Sequence, residues 1–371
     1  MEARAFRGRG GPLTWLPRLV ARPGFLDWAG RLPFGRTLAR RDGAEIFGIL
    51  QGFVSAQVLA ALVELDLLRA LLDGPAEARA LSRGTGIEAR RMEALLQAGA
   101  ALGFLSRRRS GRFALTRKGA AVLGVPGLED MIRHNAGFYR DMADPVDLLR
   151  GGSETEMARF WPYVFGGKVP AEQAGRYSDL MARSQVLVAQ DTLRMVRLSG
   201  VRRLLDVGGG TGVFLSHVLR RYPGMEGILF DLPGVMPPAA EALEATGLGR
   251  RVALRGGSFR EEPLPQGADA VSLVRVLYDH DDETVRALLA RVHAALPEGG
   301  RLIVSEPMSG GRRPDPVTDV YFAFYTMAMQ TGRVRSAKEI GALCREAGFG
   351  EIRVPHAPRP YITGVVTARK T

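Results

Sequence analysis

The stretch Leu204-Leu205-Asp206-Val207-Gly208-Gly209-Gly210-Thr211-Gly212 constrains the fold of this 371-residue chain more than any other. A buried strand runs straight into a glycine-rich turn, and helical spacing follows at Phe214, Leu215, Val218 and Leu219. Glycines let a backbone approach a ligand without side-chain obstruction. Apolar runs recur at 204–207, 227–230, 252–254, 270–274 and 302–305, most of them separated by helical stretches. That alternation predicts an α/β domain over residues 199–371, with a parallel sheet covered on both faces. The end differs. Residues 351–354 and 361–368 are strand-like with only 355–360 between them, so an antiparallel hairpin closes a seven-stranded sheet.

The spacing of the turn separates two cofactor classes. Dinucleotide binders use G-x-G-x-x-G. Gly208 and Gly210 fit that pattern, but the third required position is Val213. The chain reads D-x-G-x-G-x-G instead, with Asp206 just before the turn. A carboxylate there suits the amino group of S-adenosylmethionine, which carries no phosphate, and would repel a pyrophosphate. Asp231 follows at the end of the second strand, where an ionised carboxylate can accept from both ribose hydroxyls. The expected cofactor is S-adenosylmethionine, the expected product S-adenosylhomocysteine. No metal is expected, since no His/Cys/Asp cluster has ligand spacing and the single cysteine, Cys344, makes neither a disulfide nor a zinc site alone. Neither a Gly-x-Ser-x-Gly elbow nor a P-loop is present.

The first half of the chain is built differently. Residues 1–43 form a basic amphipathic arm: residues 1–41 hold nine arginines against Glu2 and Asp27, with Trp15 and Trp28 among them. Arginines mixed with amphipathic aromatics suit a membrane interface. An arm packed on the body or on a second subunit fits the same residues. The net charge of +12 favours anionic surfaces without choosing among them. The arm is not a secretory signal, because Arg breaks its apolar stretches. No uninterrupted apolar run approaches the ~18 residues that span a bilayer, so no membrane-spanning helix is expected.

Residues 44–127 read helix, helix, helix, basic hairpin, the order of a winged helix. Ile46, Ile49, Leu50, Phe53, Val54, Val58 and Leu59 recur at helical spacing, and Arg107, Arg108, Arg109 and Arg112 fall in the hairpin. DNA readout and a helical docking role both follow from that order. The segment 88–102, where a recognition helix would lie, is mostly apolar, whereas base edges demand polar side chains. Nucleic acid is therefore not an expected partner. Residues 128–198 are helical and rich in Met and aromatics, including Met131, Phe138, Tyr139, Met142, Phe160, Trp161, Tyr163, Phe165, Tyr177 and Met181. Such a stretch is core, or lines a pocket for a large apolar ligand.

Asp206 to Gly212, Phe230-Asp231-Leu232-Pro233 and Val276-Leu277-Tyr278-Asp279-His280-Asp281-Asp282-Glu283 resemble the plant-type (caffeate and acetylserotonin) O-methyltransferase family. The resemblance covers about residues 44–371. It implies a winged-helix dimerisation domain, a Rossmann-like methyltransferase domain and a homodimer. The basic arm, the 139–145 stretch and Asp279 to Glu283 are similar to the bacterial carotenoid O-methyltransferases of the hydroxyneurosporene and demethylspheroidene type. That implies a lipophilic substrate and a place in spheroidene or spirilloxanthin synthesis in a purple photosynthetic bacterium. The implied location is cytoplasmic, with peripheral association at the inner photosynthetic membrane through residues 1–41. Other acceptors fit the family as well: a phenol or polyketide hydroxyl, or carbon in a tetrapyrrole. A DNA-binding regulator with a cofactor-sensing domain is the reading from another class.

Carrying the family pattern over implies cofactor contacts at Asp206, Gly208, Gly210, Asp231, Leu232, Gly257, Ser258, Phe259 and Arg275. The acid usually near the adenine is absent at Gly257. The family's general-base His is Tyr278 here, its Trp is His280, its first flanking acid is Glu306, and its second is replaced by Val334. Tyrosine, with a reference pKa near 10, is a poor base at neutral pH. The expected catalytic set is Tyr278, Glu306 and His280, with Tyr278 orienting the acceptor hydroxyl and the proton leaving late to Glu306, His280 or water. Asp279, Asp281, Asp282 and Glu283 read as a polar loop and the acidic first turn of a helix.

Overall fold

The computed structural model describes residues 15–29, 31, 33–152, 154–160 and 171–371. The lipid-facing reading of residues 1–14 and the pocket reading of Trp161, Tyr163 and Phe165 fall outside them, as do the side chains of Phe160 and Tyr177. The chain divides into two compact units, residues 1–120 and 121–371.

The first unit is helical with a small hairpin. A 32-residue helix, Pro33–Glu64, is followed by Leu67–Ala70, Ala78–Leu81 and Ala89–Ala101, then strands β1 (Leu105–Arg107) and β2 (Phe113–Leu115). The two strands pair antiparallel, Leu105 opposite Leu115. Met92 and Leu96 bury one face of Ala89–Ala101, with Leu62, Leu105 and Phe113 also in the interior. Arg107 donates to Glu93 (2.8 Å) and lies over the Phe113 ring, and Arg112 donates to the Pro75 carbonyl.

The helix Pro33–Glu64 corrects one expectation. An 18-residue window within 40–64 has a mean hydropathy of 2.0, enough by length and composition to cross a bilayer. The criterion of an unbroken apolar run misses it because Gln51, Ser55 and Gln57 interrupt the run without adding charge. Ile46, Phe47, Ile49 (82% exposed), Leu50, Phe53 and Val54 lie open on this unit. The helical spacing is real, but these side chains find no cover among the described residues.

In the second unit β3 (Arg203–Val207), β4 (Glu226–Asp231), β5 (Val252–Gly256), β6 (Ala270–Val274) and β7 (Arg301–Glu306) run parallel. β8 (Phe349–Arg353) and β9 (Gly364–Lys370) form the hairpin, and β9 joins β7 antiparallel. The sheet order is β5-β4-β3-β6-β7-β9-β8. Chain direction across the sheet reverses between β3 and β6, and in open α/β sheets ligands sit at the carboxyl ends of the strands at that point. Side chains alternate as strand geometry requires. Leu204 faces a core with Phe214, Leu215, Val218 and Leu219, while Leu205 faces the other, with Val285, Leu288, Val292 and Ile340. Each fully buried aliphatic side chain contributes ~1.5–3 kcal/mol, so this two-sided burial fixes the strand register. Asp206, Asp231, Gly256, Val274 and Glu306 thereby all reach the carboxyl edge.

Candidate active site

The cofactor end is built by β3 and β4. Gly208 has φ +67°, and a Cβ there would lie 2.9 Å from Val276 Cγ2, so both conformation and space require glycine. Asp231 ties the turn together: Oδ2 accepts from the Gly210 N–H (2.8 Å) and Oδ1 from the Leu232 N–H (2.7 Å). Each oxygen keeps a lone pair for a further donor. Asp206 is buried, its Oδ1 accepts from Ser272 Oγ (2.6 Å), and its Oδ2 has no hydrogen-bond partner. Burial, and to a lesser extent the nearby Asp231 carboxylate, pushes the Asp206 carboxyl up to about 7. Burial likewise raises Asp231.

Behind β5, a Cβ on Gly257 would lie 2.8 Å from Glu262 Oε2, and the Ser258 N–H donates to Glu262 Oε1 (3.3 Å). Glu262 thus stands where a side chain at 257 would reach. The sequence pattern, read position by position, shows only the missing acid. Phe259 meets the His280 ring edge to face at 5.2 Å.

The second half of the site is a single turn, Leu277–Asp279, after β6. Tyr278 is buried. Its main-chain N–H donates to Glu306 Oε2 (3.2 Å) at the end of β7, and its hydroxyl accepts from Arg275 Nη2 at 3.4 Å. Burial pushes the phenol above its ordinary value. The raised phenol keeps its proton at neutral pH and is held as a hydrogen-bonding group by Arg275. Glu306 is fully buried, its carboxyl raised to about 7 by desolvation, and its Oε1 has no hydrogen-bond partner. Asp279 differs from the polar-loop reading: its Oδ1 is buried without a hydrogen-bond partner, and burial holds its carboxyl well above the usual range. Asp281 and Asp282 do open the helix Asp282–Ala295, with Asp281 accepting from the Thr284 N–H.

The structure joins Tyr278 and Glu306 through a hydrogen bond and gives His280 other partners. The His280 ring lies against Phe259 and within 3.1 Å of Arg260, and burial followed by that cation lowers it to about 4. Arg275 occupies a strained left-handed position (φ +59°), a conformation that persists only where surroundings over-determine it. Its main-chain N–H donates to Ser305, and its guanidinium reaches Ser184, Met181 and Tyr278. Ser184, Ser272 and Glu262 carry no sequence motif and meet the site only through the fold.

Tyr278 is itself part of a buried apolar cluster. Phe138, Leu148, Met157, Tyr325, Ala328 and Met329 belong to it, with Met142, Met181 and Tyr321 packed against it. Phe138 packs edge-on against Tyr321 and Tyr325, which stack at 5.6 Å. Two polar pairs sit within it: His134 Nε2 with the Tyr325 hydroxyl (2.9 Å), and the Tyr321 hydroxyl donating to Asn135 Oδ1 (2.9 Å). Burial and then Arg275 lower His134 to about 4, which keeps its ring neutral.

Buried carboxyls with orphaned oxygens suit a cationic nucleoside. On a doubly wound sheet with an acid-led glycine turn, they define an S-adenosylmethionine-dependent methyltransferase. Among the described residues no His/Cys/Asp/Glu group is placed to hold a metal ion. Comparison with known proteins narrows the class. Residues 139–350 match the O-methyltransferase domain and residues 47–124 the O-methyltransferase dimerisation domain, and the chain belongs to this O-methyltransferase family. The second match supports assembly as a homodimer. The chain is 56% identical to a demethylspheroidene O-methyltransferase of Cereibacter sphaeroides, over 95% of this chain and 93% of that protein. It is 50% identical to a protein of that name from Rhodobacter capsulatus, over 92% and 85%. Among solved structures, the mitomycin 7-O-methyltransferase MmcR superposes with a TM-score of 0.76 at 26% identity, covering 90% of this chain and 100% of that one.

Proposed function

We propose that the chain methylates the hydroxyl of a long, apolar hydroxylated carotenoid. The observation that carries this reading is the name of the two relatives at 50% identity or more, together with the Met- and aromatic-rich buried cluster around Tyr278. The bound cofactor supplies a methyl on a sulfonium. Asp231 and Leu232 would hold its ribose side, Asp206, Gly208 and Gly210 its amino-acid side, and Gly257, Ser258 and Phe259 its base, with Glu262 as an additional acceptor.

The chain's own residues supply position and a proton sink. In-line transfer needs the acceptor oxygen about 3–3.5 Å from the methyl carbon. Arg275, donating to the Tyr278 oxygen, strengthens the phenol as a donor. The Tyr278 O–H then occupies one lone pair of the acceptor oxygen and leaves the other aimed at the methyl. When bound, the cofactor would supply an electrophilic methyl to that oxygen and keep the electrons of the S–C bond, which would leave a protonated ether that must lose its proton. That protonated ether is a far stronger acid than any side chain here, so no base is needed before transfer. The proton passes to a buried carboxylate, and Glu306 and Asp279 each have an orphaned oxygen at this turn.

Two measurements test the reading. Labelled cofactor incubated with hydroxycarotenoids and with simple phenols, followed by product mass, should show methyl on the carotenoid oxygen. Methylation confined to phenols overturns it. Tyr278→Phe should lower kcat by about 10–100-fold with cofactor affinity unchanged, the size expected for a lost orienting hydrogen bond. Turnover near wild type removes the orienting role.

The same reading places the enzyme at the cytoplasmic face of the inner photosynthetic membrane, where such a substrate dissolves. The arginines and tryptophans of residues 1–41 support contact with anionic lipid. Co-sedimentation with vesicles containing phosphatidylglycerol, lost on deleting those residues, is the expected result.

A further inference from the structure

The turn carrying Tyr278 is held from two sides, and only one of them belongs to the expected catalytic set. Glu306 takes the Tyr278 N–H. Opposite, the fully buried guanidinium of Arg335 takes the carbonyls. Its Nη1 donates to the Leu277 carbonyl (2.8 Å) and its Nη2 to the His280 carbonyl (2.8 Å), spanning the turn. Nε and Nη2 also donate to Asp282 Oδ1, at 2.9 Å and 2.7 Å, and Nη1 to the Arg333 carbonyl at 3.2 Å. Arg333 shares that carboxylate and also reaches Glu339. Arg335 is pinned in turn by its own backbone, whose carbonyl accepts from Ser309 beyond the end of β7.

We propose that Arg335 is the positioning residue of the methyl-transfer site: its guanidinium fixes the turn that presents Tyr278 and is the cation set against Glu306. The planar fork of Arg matches two carbonyls and a carboxylate at once, which a lysine ammonium cannot do. Glu306 faces a defined set of groups. These are Arg335 from the 333–336 segment, the amides of Leu277 and Tyr278, the Tyr278 phenol and Asp279 from the turn, and Cys344 from the helix Ala337–Glu346. Arg335 is the cation of that set. It opposes the desolvation that drives the Glu306 carboxyl up, so that the group ionises near neutrality and can take the proton that transfer releases. The charge argument rests on the proton-sink role given to Glu306 above, whereas the clamp on the turn does not.

The test uses the full-length enzyme and needs no acceptor for its first readout. Carboxyl-13C glutamate labelling, with Glu306→Gln assigning the resonance, follows the Glu306 titration directly. In Arg335→Gln the midpoint should move to higher pH by about one unit, since the opposing cation is gone. In Arg335→Lys, which keeps the charge and loses the fork, the midpoint should stay near wild type while kcat still falls about tenfold and cofactor affinity holds. Asp282→Asn, which removes the counter-anion of Arg335, should move the midpoint down. A midpoint in Arg335→Gln equal to wild type overturns the charge role, and full kcat in Arg335→Lys overturns the clamp. If Arg335→Gln does not fold, Asp282→Asn tests the charge role and Arg335→Lys the clamp, and an unmoved midpoint in Asp282→Asn then overturns the former. A wild-type enzyme that fails to methylate hydroxycarotenoids refutes the acceptor assignment and leaves the titration readout standing.

Discussion

Asp231→Ala should abolish tight cofactor binding. Calorimetry with S-adenosylhomocysteine is expected to show affinity reduced by about 100-fold or more, because two kinds of contact disappear together. One is the proposed carboxylate acceptor for the ribose, where hydrogen bonds to ionised groups contribute ~1.5–3 kcal/mol. The other is the tie between the Gly210 and Leu232 amides, which holds the glycine turn against the end of β4. Asp231→Asn separates them. The amide keeps one acceptor oxygen for the backbone and turns the other position into a donor. It should bind with an affinity between the two, and wild-type affinity for Asp231→Asn would remove the carboxylate from the ribose site. The fold itself should survive in both variants, since the buried aliphatic residues of β3 and β4 are untouched.

Gly332→Ala should be the most damaging single methyl that can be added near the reacting centre. A Cβ at 332 would lie 2.1 Å from the Tyr278 carbonyl oxygen, 2.4 Å from Asp279 C and 2.5 Å from the His280 nitrogen. All three are backbone atoms of the turn that Arg335 and Glu306 hold, so no side-chain rotation relieves the clash. Overpacking of this kind costs ~1–3 kcal/mol, and in a unit of this size that lowers Tm by roughly 2–10 °C. The larger effect is on catalysis. Displacing the turn by about 1 Å misaligns the Tyr278 hydroxyl, and kcat should fall by about 100-fold. Cofactor binding should be kept, because the glycine turn after β3 is separate. Gly224→Ala, with open space around its Cβ, is the matched control and should change neither Tm nor kcat. Equal behaviour of the two variants would show that the turn is compliant.

What the sequence makes legible follows from distance along the chain. Strand β6 is readable as residues 270–274 because five buried residues in a row need no partner to reveal them. Asp206, the glycines and Asp231 are readable because strand, turn and helix follow one another, and the chemistry sits at fixed offsets. Tyr278 stands in a local motif. Arg335 and Gly332 flank Val334 in a segment that matches the family, but nothing local shows that they touch the same turn. Their contacts span more than fifty residues, and an Arg between Val334 and Ser336 looks like any surface arginine until the fold buries it. Asp279 misleads for a related reason. Its neighbours Asp281 and Asp282 do cap a helix, and nothing local distinguishes the one carboxyl of the group that turns inward. His134 is readable as a histidine among aromatics, but its partner Tyr325 lies 191 residues away.

The open row of Phe47, Ile49, Leu50 and Phe53 falls within the match to a dimerisation domain, so a second subunit is expected to cover it and dilution is expected to stress the enzyme. A subunit without that cover would hold oily surface in water, and the lone chain is then the species expected to clump. Melting temperature should climb as protein concentration rises, by mass action on association. Assays run at nanomolar enzyme would then report the fraction still coupled, and specific activity would decay with standing time rather than with turnover.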